Sequence, residues 1–209
     1  MRYIVYSSTR RVENETHLVT EMFRSGLDCF HLKRTNWSNQ TTIEFIKAIP
    51  EEFRNRIVLY SHFKLAVRFG LKGVHVPRNG KLKGALIRLY ARFLKNRNPF
   101  LKISSTFRRL SHLRETDDFL DYVMLGPLYD NKSSQKNRIR FGEQEIEYAL
   151  LETDYNVYGF GGIQYDKIDS ILNKGFEGIA LSNLIWNSEN PLKAFRSLKY
   201  REGGMRRAS

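Results

Sequence analysis

The chain has 209 residues, 41% of them hydrophobic and 13% aromatic, and a formal net charge of +13. That composition excludes a wholly disordered chain, and the length suits one domain with at most a small appendage. No apolar run is long enough to span a bilayer, and the single cysteine, Cys29, excludes an internal disulfide or a cysteine-rich zinc site. The opening Met1-Arg2-Tyr3-Ile4-Val5-Tyr6 reads as a strand and not as a signal peptide, so a cytoplasmic protein is expected. The charge is unevenly placed. The 62 residues from Phe53 to Arg114 hold 16 Lys and Arg and no Asp or Glu, while the rest of the chain sums to −3. An anionic partner fits such a stretch: nucleic acid, a membrane surface or a phosphorylated small molecule. The plain alternative is a solvated basic surface.

Taken in chain order, short β-rich runs alternate with amphipathic stretches. Strands are expected at 2–6, 29–33, 57–60, 73–76, 101–105, 122–125, 157–160 and 178–181. Helices are expected at 14–24, 41–48, 62–69, 85–95, 111–119, 142–151, 165–173 and 191–200. Eight strands in strict alternation with eight helices predict parallel strands with crossover helices. Closed on themselves, they make a single α/β domain, a (β/α)8 TIM barrel over 1–202, followed by a frayed tail at 203–209. An open doubly wound sheet is the competitor. Against it, Ser7-Ser8-Thr9-Arg10 follows the first strand where a glycine-rich phosphate loop would stand.

In such a barrel the chemistry sits on the loops that follow the strands. Those positions deliver His31, Lys33 and Arg34; Ser61 and His62; His75 and Arg78; Ser104, Ser105 and Thr106; and, after Gly126-Pro127, Lys132, Ser133 and Lys136. Gly161-Gly162 follows the seventh strand and Ser182-Asn183 the eighth, the customary phosphate corner of these barrels. The set is rich in Lys, Arg, Ser and Gly and poor in carboxylates, which suits a phosphate. Gly-Gly is also read as a plain turn, and His75 as a strand histidine packed inside the barrel. His62 is also read as a surface residue. Cys29 reads as core and not as a nucleophile. No two histidines stand at a metal-ligand spacing, and no nucleophile elbow, P-loop or paired-carboxylate motif occurs. On 85–97, Arg88, Arg92 and Lys95 share one face opposite Leu86, Leu89, Tyr90, Phe93 and Leu94. An outer barrel helix with its basic side in water is expected there.

The ordered segments resemble the thiamine-phosphate synthase family, which includes the thiazole tautomerases. The resemblance is carried by Phe30-His31-Leu32-Lys33-Arg34, Gly73-Val74-His75-Val76, Asp121-Tyr122-Val123-Met124-Leu125-Gly126-Pro127-Leu128-Tyr129, Phe160-Gly161-Gly162-Ile163 and Gly175-Phe176-Glu177-Gly178-Ile179-Ala180. It implies a (β/α)8 barrel that joins a pyrimidine methyl diphosphate to a thiazole phosphate, with Mg²⁺ and basic side chains on the diphosphate. By position, Gly162 and Ser182 or Asn183 would hold the thiazole phosphate, and Lys33 and Arg34 the diphosphate. Ser105 or Thr106 would stand at the polar end of strand 5, with Ser133, Lys132 and Lys136 in the loop after Pro127. The family's Asn-Asp pair aligns with Tyr60-Ser61, and its second metal-binding Asp aligns near Asn79-Gly80. Thr35 takes the strand 2 Lys position, and Pro127 takes that of the tautomerases' histidine. Mg²⁺, expected from the family, is therefore expected to bind poorly. The transferase is the first reading, and a barrel that only binds a phosphorylated small molecule is the second. Nucleic-acid binding through 53–114 ranks last. No membrane partner is expected, and a homo-oligomer is left open.

Overall fold

The computed structural model describes residues 2–78, 82–115, 118–129 and 141–205. Eight parallel strands close into a barrel in sequence order. They are β1 (Arg2–Tyr6), β2 (Cys29–Leu32), β3 (Ile57–Leu59), β4 (Gly73–Val76), β5 (Lys102–Phe107), β6 (Tyr122–Leu125), β7 (Val157–Phe160) and β8 (Gly178–Leu181). Closure is made by β1 on β8, with Ile4 opposite Ala180 and Val5 opposite Leu181. The expected (β/α)8 barrel is thus the fold.

Around it run α1 (Glu15–Arg24), α2 (Asn39–Ala48), α3 (Glu51–Arg54), α4 (Phe63–Arg68), α5 (Leu82–Arg97), α6 (Glu143–Leu151), α7 (Ile168–Asn173), α8 (Asn183–Trp186) and α9 (Pro191–Met205). Helix α2 begins where Ser38 Oγ accepts the Thr41 N–H at 3.0 Å, a side-chain cap that satisfies an otherwise orphaned donor. Helical backbone in α9 continues past the expected end of the barrel at residue 202. Among the described residues no helix is long and apolar enough to cross a membrane.

The main core lies between barrel and helices. Outward strand residues such as Val5, Phe30, Leu59, Val76, Ile103 and Leu125 meet Val19, Phe23, Ile46, Ala91, Ile146 and Phe195 from the helices. Each such side chain, fully buried, contributes about 1.5–3 kcal/mol of transfer free energy. A second, smaller cluster fills the barrel itself: Ile4, Cys29, Val58, Tyr122, Met124, Tyr158 and Ala180. Gly73 marks the tightest contact between strands, since a Cβ there would stand 1.9 Å from the Lys102 carbonyl oxygen.

Three local expectations are corrected. Strand β5 extends to Phe107 instead of ending at Ser105. The helix expected at 111–119 is a single 3-10 turn, Leu110–Arg114. Helix α5 is rotated about its axis relative to expectation, with Arg92 in water but Arg88 and Lys95 turned toward the barrel. Its Leu86, Leu89 and Phe93 are exposed, while Ala91 and Leu94 are buried. On the basic side, the Arg88 guanidinium lies over the Phe119 ring and Lys95 Nζ donates to Asp121 and to the Phe119 carbonyl. Long cationic side chains pack through their stems, so a basic face can be the inner one.

Asp121 ties this region together. Its carboxylate accepts Lys95 Nζ at 2.6 Å, Lys102 Nζ at 3.0 Å and the Ile103 N–H at 2.8 Å. Burial opposes its ionisation, but these donors outweigh it and hold the carboxyl below the usual range. A depressed folded pKa adds stability above the unfolded value, and that stability disappears as pH falls through the folded one. Asp121→Asn is expected to cost about 1–3 kcal/mol at pH 7. The difference should shrink once pH drops below about 4. Urea unfolding at pH 7 and pH 3 checks this.

Candidate functional site

Strand alternation assigns the barrel interior. Tyr6, Tyr60, Thr106 and Phe160 form its upper ring, at the end where the strands finish. Tyr6 meets Tyr60 edge-on at 6.4 Å between ring centroids and Phe160 at 6.5 Å. Beneath them lie His31 and His75. His31 Nδ1 is 3.1 Å from Tyr60 Oη, and its Nε2 is 2.8 Å from Tyr122 Oη. His75 Nδ1 is 2.8 Å from Ser104 Oγ, and its Nε2 is 3.0 Å from Thr106 Oγ1. The Tyr60 and His75 rings stack at 4.2 Å.

Burial dominates the electrostatics here. It holds His31 well below the usual imidazole range and His75 at about 3, with the nearby Lys33 ammonium adding to the effect on His75. The phenols of Tyr6, Tyr60 and Tyr122 are pushed up by the same burial. Cys29 is raised to about 12, again mainly by burial, so it is a core thiol as expected.

Lys33 closes the interior from above. Its Nζ stands 6.0 Å from the centroids of both Tyr6 and Tyr60. The side chain is exposed, yet it sits in a partly enclosed mouth. Partial burial, and then the Arg108 guanidinium, lower its pKa. The backbone beneath it is fixed by the Lys33 N–H on Ser7 Oγ at 3.0 Å.

Two other predicted cations, Arg34 and Arg78, are engaged. Arg34 pairs with Glu15 at 3.0 Å and lies over Trp37, and the same Glu15 accepts the Ser8 N–H at 3.0 Å. Arg78 pairs with Glu115 and lies 4.3 Å over the Phe107 ring. His62, with φ 53°, donates from Nε2 to the Trp37 carbonyl at 2.8 Å, and Ser61 Oγ donates to the Arg34 carbonyl. Together with Thr35, Ser61 and His62 line a cavity of about 1020 Å³ beside the rim.

The hydroxyls of β5 divide by face. Thr106 faces the interior with Ser104, whereas Ser105 turns outward and donates to the Val76 carbonyl at 2.9 Å. Ser105 is therefore corrected from a site residue to a structural one. His31, with both ring nitrogens engaged and no exposed surface, is likewise an interior residue. His75 matches its packed-strand reading.

At the opposite side of the mouth the double glycine has a packing reason. The Leu128 N–H donates to the Phe160 carbonyl at 2.9 Å and the Tyr129 N–H to that of Gly161 at 3.2 Å. Gly162 has φ +66°, and a Cβ on it would come within 2.4 Å of the Tyr129 carbonyl oxygen. Ser182 starts α8, its carbonyl accepting the Ile185 and Trp186 N–H groups at 3.0 and 2.9 Å. Trp186 Nε1 donates to the Tyr6 carbonyl at 2.6 Å, which fixes this short helix over β1. The opening amides of such a helix have no partner within it and suit an anion. Lys132, Ser133 and Lys136 lie outside the described residues. Sequence reasoning missed Tyr6, Tyr60 and Arg108. The signal for Arg108 was present: Ser104, Thr106 and Arg108 follow one another at a period of two.

A closed parallel barrel with its polar groups gathered at the strand ends defines the class. Within it, the chain belongs to the thiamine monophosphate synthase family, whose model matches residues 2–185. The thiamine-phosphate synthase of Flavobacterium psychrophilum is 24% identical over 208 residues, covering 95% of this chain and 96% of that protein. Thiamine phosphate pyrophosphorylases from Bacteroides thetaiotaomicron and Pyrococcus furiosus share the fold. Their TM-scores are 0.71 and 0.72 and their identities 23% and 20%; each covers 95% of this chain, and the chain covers 94% and 93% of them.

Because both histidines are held neutral, lowering the pH to 5 is expected to leave them uncharged. Nitrogen chemical shifts of the His31 and His75 imidazoles should stay those of neutral rings from pH 8 to pH 5. A protonated ring at pH 6 would contradict the burial argument.

Proposed function

We propose that the chain is a thiamine-phosphate synthase-like transferase. The thiazole nitrogen would attack the pyrimidine methylene, forming a C–N bond as the C–O bond to diphosphate breaks. The diphosphate leaves with the electron pair. What supports this reading most is the family match across residues 2–185, which spans nearly the whole barrel. In it Lys33 meets the developing charge on the leaving diphosphate, the standard electrostatic contribution to such a step. Gly162 and Ser182 or Asn183 take the thiazole phosphate, and Thr106 lies at the polar end of β5. Lys132, Ser133 and Lys136, which follow Pro127 in the sequence, are assigned to the substrate by the family resemblance alone. The two paired arginines, Arg34 and Arg78, shape the rim. The reaction takes place in the cytoplasm on phosphorylated small molecules.

Mg²⁺ belongs to the family's chemistry, and the donor set supports a departure from it. Mg²⁺ is commonly held through carboxylates and substrate phosphates. At this rim Glu15 and Glu115 are each committed to an arginine. Among the described residues no group of three or more His, Cys, Asp or Glu side chains is placed to share a metal. We read these residues as a poor fit for Mg²⁺, and no step is drawn through it.

The second reading is a barrel that binds a phosphorylated ligand without coupling. It is favoured by the tyrosine ring layer of Tyr6 and Tyr60 that fills the top of the interior. A coupling assay with both phosphorylated precursors, run with Mg²⁺ and with EDTA, separates the two. The transferase reading expects product in EDTA, and a fall in kcat/KM of about 100-fold or more in Lys33→Met. No product in either condition, with calorimetric binding of thiazole phosphate, would leave the second reading in place.

A further inference from the structure

The mouth holds one cation that neither the family match nor the sequence pattern assigned. Arg108 follows directly on β5, two residues beyond Thr106 and four beyond Ser104, both of which meet His75 inside the barrel. Phe107 between them is fully buried in the outer core. Alternation therefore aims Arg108 over the barrel, not outward toward the helices. In keeping with that direction, its charge acts to lower the pKa of Lys33 and of Tyr6, though less than burial shifts either. Lys33 approaches from β2, held above the Tyr6 and Tyr60 rings. Among the described residues neither cation has a carboxylate partner, unlike Arg34 and Arg78.

We infer that Arg108 and Lys33 form a two-cation clamp for the diphosphate group, with Arg108 a binding residue of the site. This rests on the transferase reading for its role in turnover, but the clamp itself is a statement about anion binding. Two like charges over a low-dielectric aromatic floor repel each other, and a polyanion between them removes that cost. A guanidinium also offers paired N–H donors that match phosphate oxygens. The groups facing Lys33 are Tyr6 from β1, His31 from its own strand, Tyr60 after β3, His75 from β4 and Arg108 after β5. The histidines are neutral and the tyrosines protonated, so Arg108 is the charged neighbour that adds to burial in loosening the Lys33 proton.

Calorimetry with inorganic diphosphate in EDTA tests the clamp on the full chain. Wild-type protein is expected to bind, and Arg108→Gln to bind at least about tenfold more weakly. Arg108→Lys should recover part of the loss. Arg92→Gln, which removes the same charge from the exposed part of α5, should change affinity less than about twofold. Affinity falls at alkaline pH as Lys33 deprotonates, and without Arg108 that fall should move to higher pH. Melting temperatures confirm that each variant is folded. The clamp is overturned if wild-type protein binds no diphosphate, if Arg108→Gln binds as well as wild type, or if the alkaline limb stays where it was. Absent coupling with the clamp intact would overturn only the transferase reading. Coupling with full diphosphate affinity in Arg108→Gln would overturn only the clamp.

Discussion

The constraint on which the structure depends is the sealed interior of a small barrel. Closing eight short strands places every second strand residue where water does not reach, so polar atoms there must find partners inside. His31 and His75 meet this demand. His31 joins β2 to Tyr60 at the end of β3 and, across the barrel, to Tyr122 on β6. His75 joins β4 to two hydroxyls of β5. Neutral imidazole suits the task because one nitrogen donates while the other accepts. The same arrangement fixes the aromatic ring layer above, and so the height at which Lys33 sits.

A second constraint acts where loops meet at the rim. The segment after β6 lies against the end of β7 closely enough that Gly161 and Gly162 have no room for side chains. A Cβ on Gly161 would stand 2.5 Å from the Pro127 ring. The glycine pair thus serves packing before it serves any ligand. That does not compete with anion binding, since the close approach also fixes the backbone next to Ser182 and α8. Trp186 completes this corner by reaching back to β1. The two sides of the mouth therefore differ in kind: backbone and a short helix on one, cationic side chains on the other.

The alternation of elements was legible because the β-runs are mostly apolar on their outer faces and bounded by turn residues. The barrel followed from counting the units. What the sequence hid were choices between two faces of one element. Ser104, Ser105 and Thr106 carry similar side chains, so only the closed barrel separates the pair that meets His75 from the one that bonds to Val76. Helix α5 shows a clear division into basic and apolar sides, but periodicity does not say which faces inward. Asp121 decides it by drawing Lys95 toward the barrel. The site was legible as a set of positions and not as a set of partners. Arg34 meets Glu15 across 19 residues of sequence, and Arg78 meets Glu115 across 37. No local pattern reports such pairings.

Those pairings also explain the acid-free stretch from 53 to 114. Its cations do not all remain uncompensated. The carboxylates that follow the stretch fold back on it: Glu115 takes Arg78, and Asp121 takes Lys95 and Lys102. The Asp121 contacts lie at the lower end of the barrel, whereas the Arg78–Glu115 pair lies at the rim. At the mouth the balance differs, because Lys33 and Arg108 face a neutral interior of histidines and protonated tyrosines. A doubly charged metal brought there would add repulsion, since among the described residues Glu15 and Glu115 at the rim are already paired with arginines. A phosphate-bearing ligand would instead supply the missing negative charge directly. Three cations of the stretch are thus paired with carboxylates that follow it, while others, such as Lys64 and Arg92, stay on exposed helix faces.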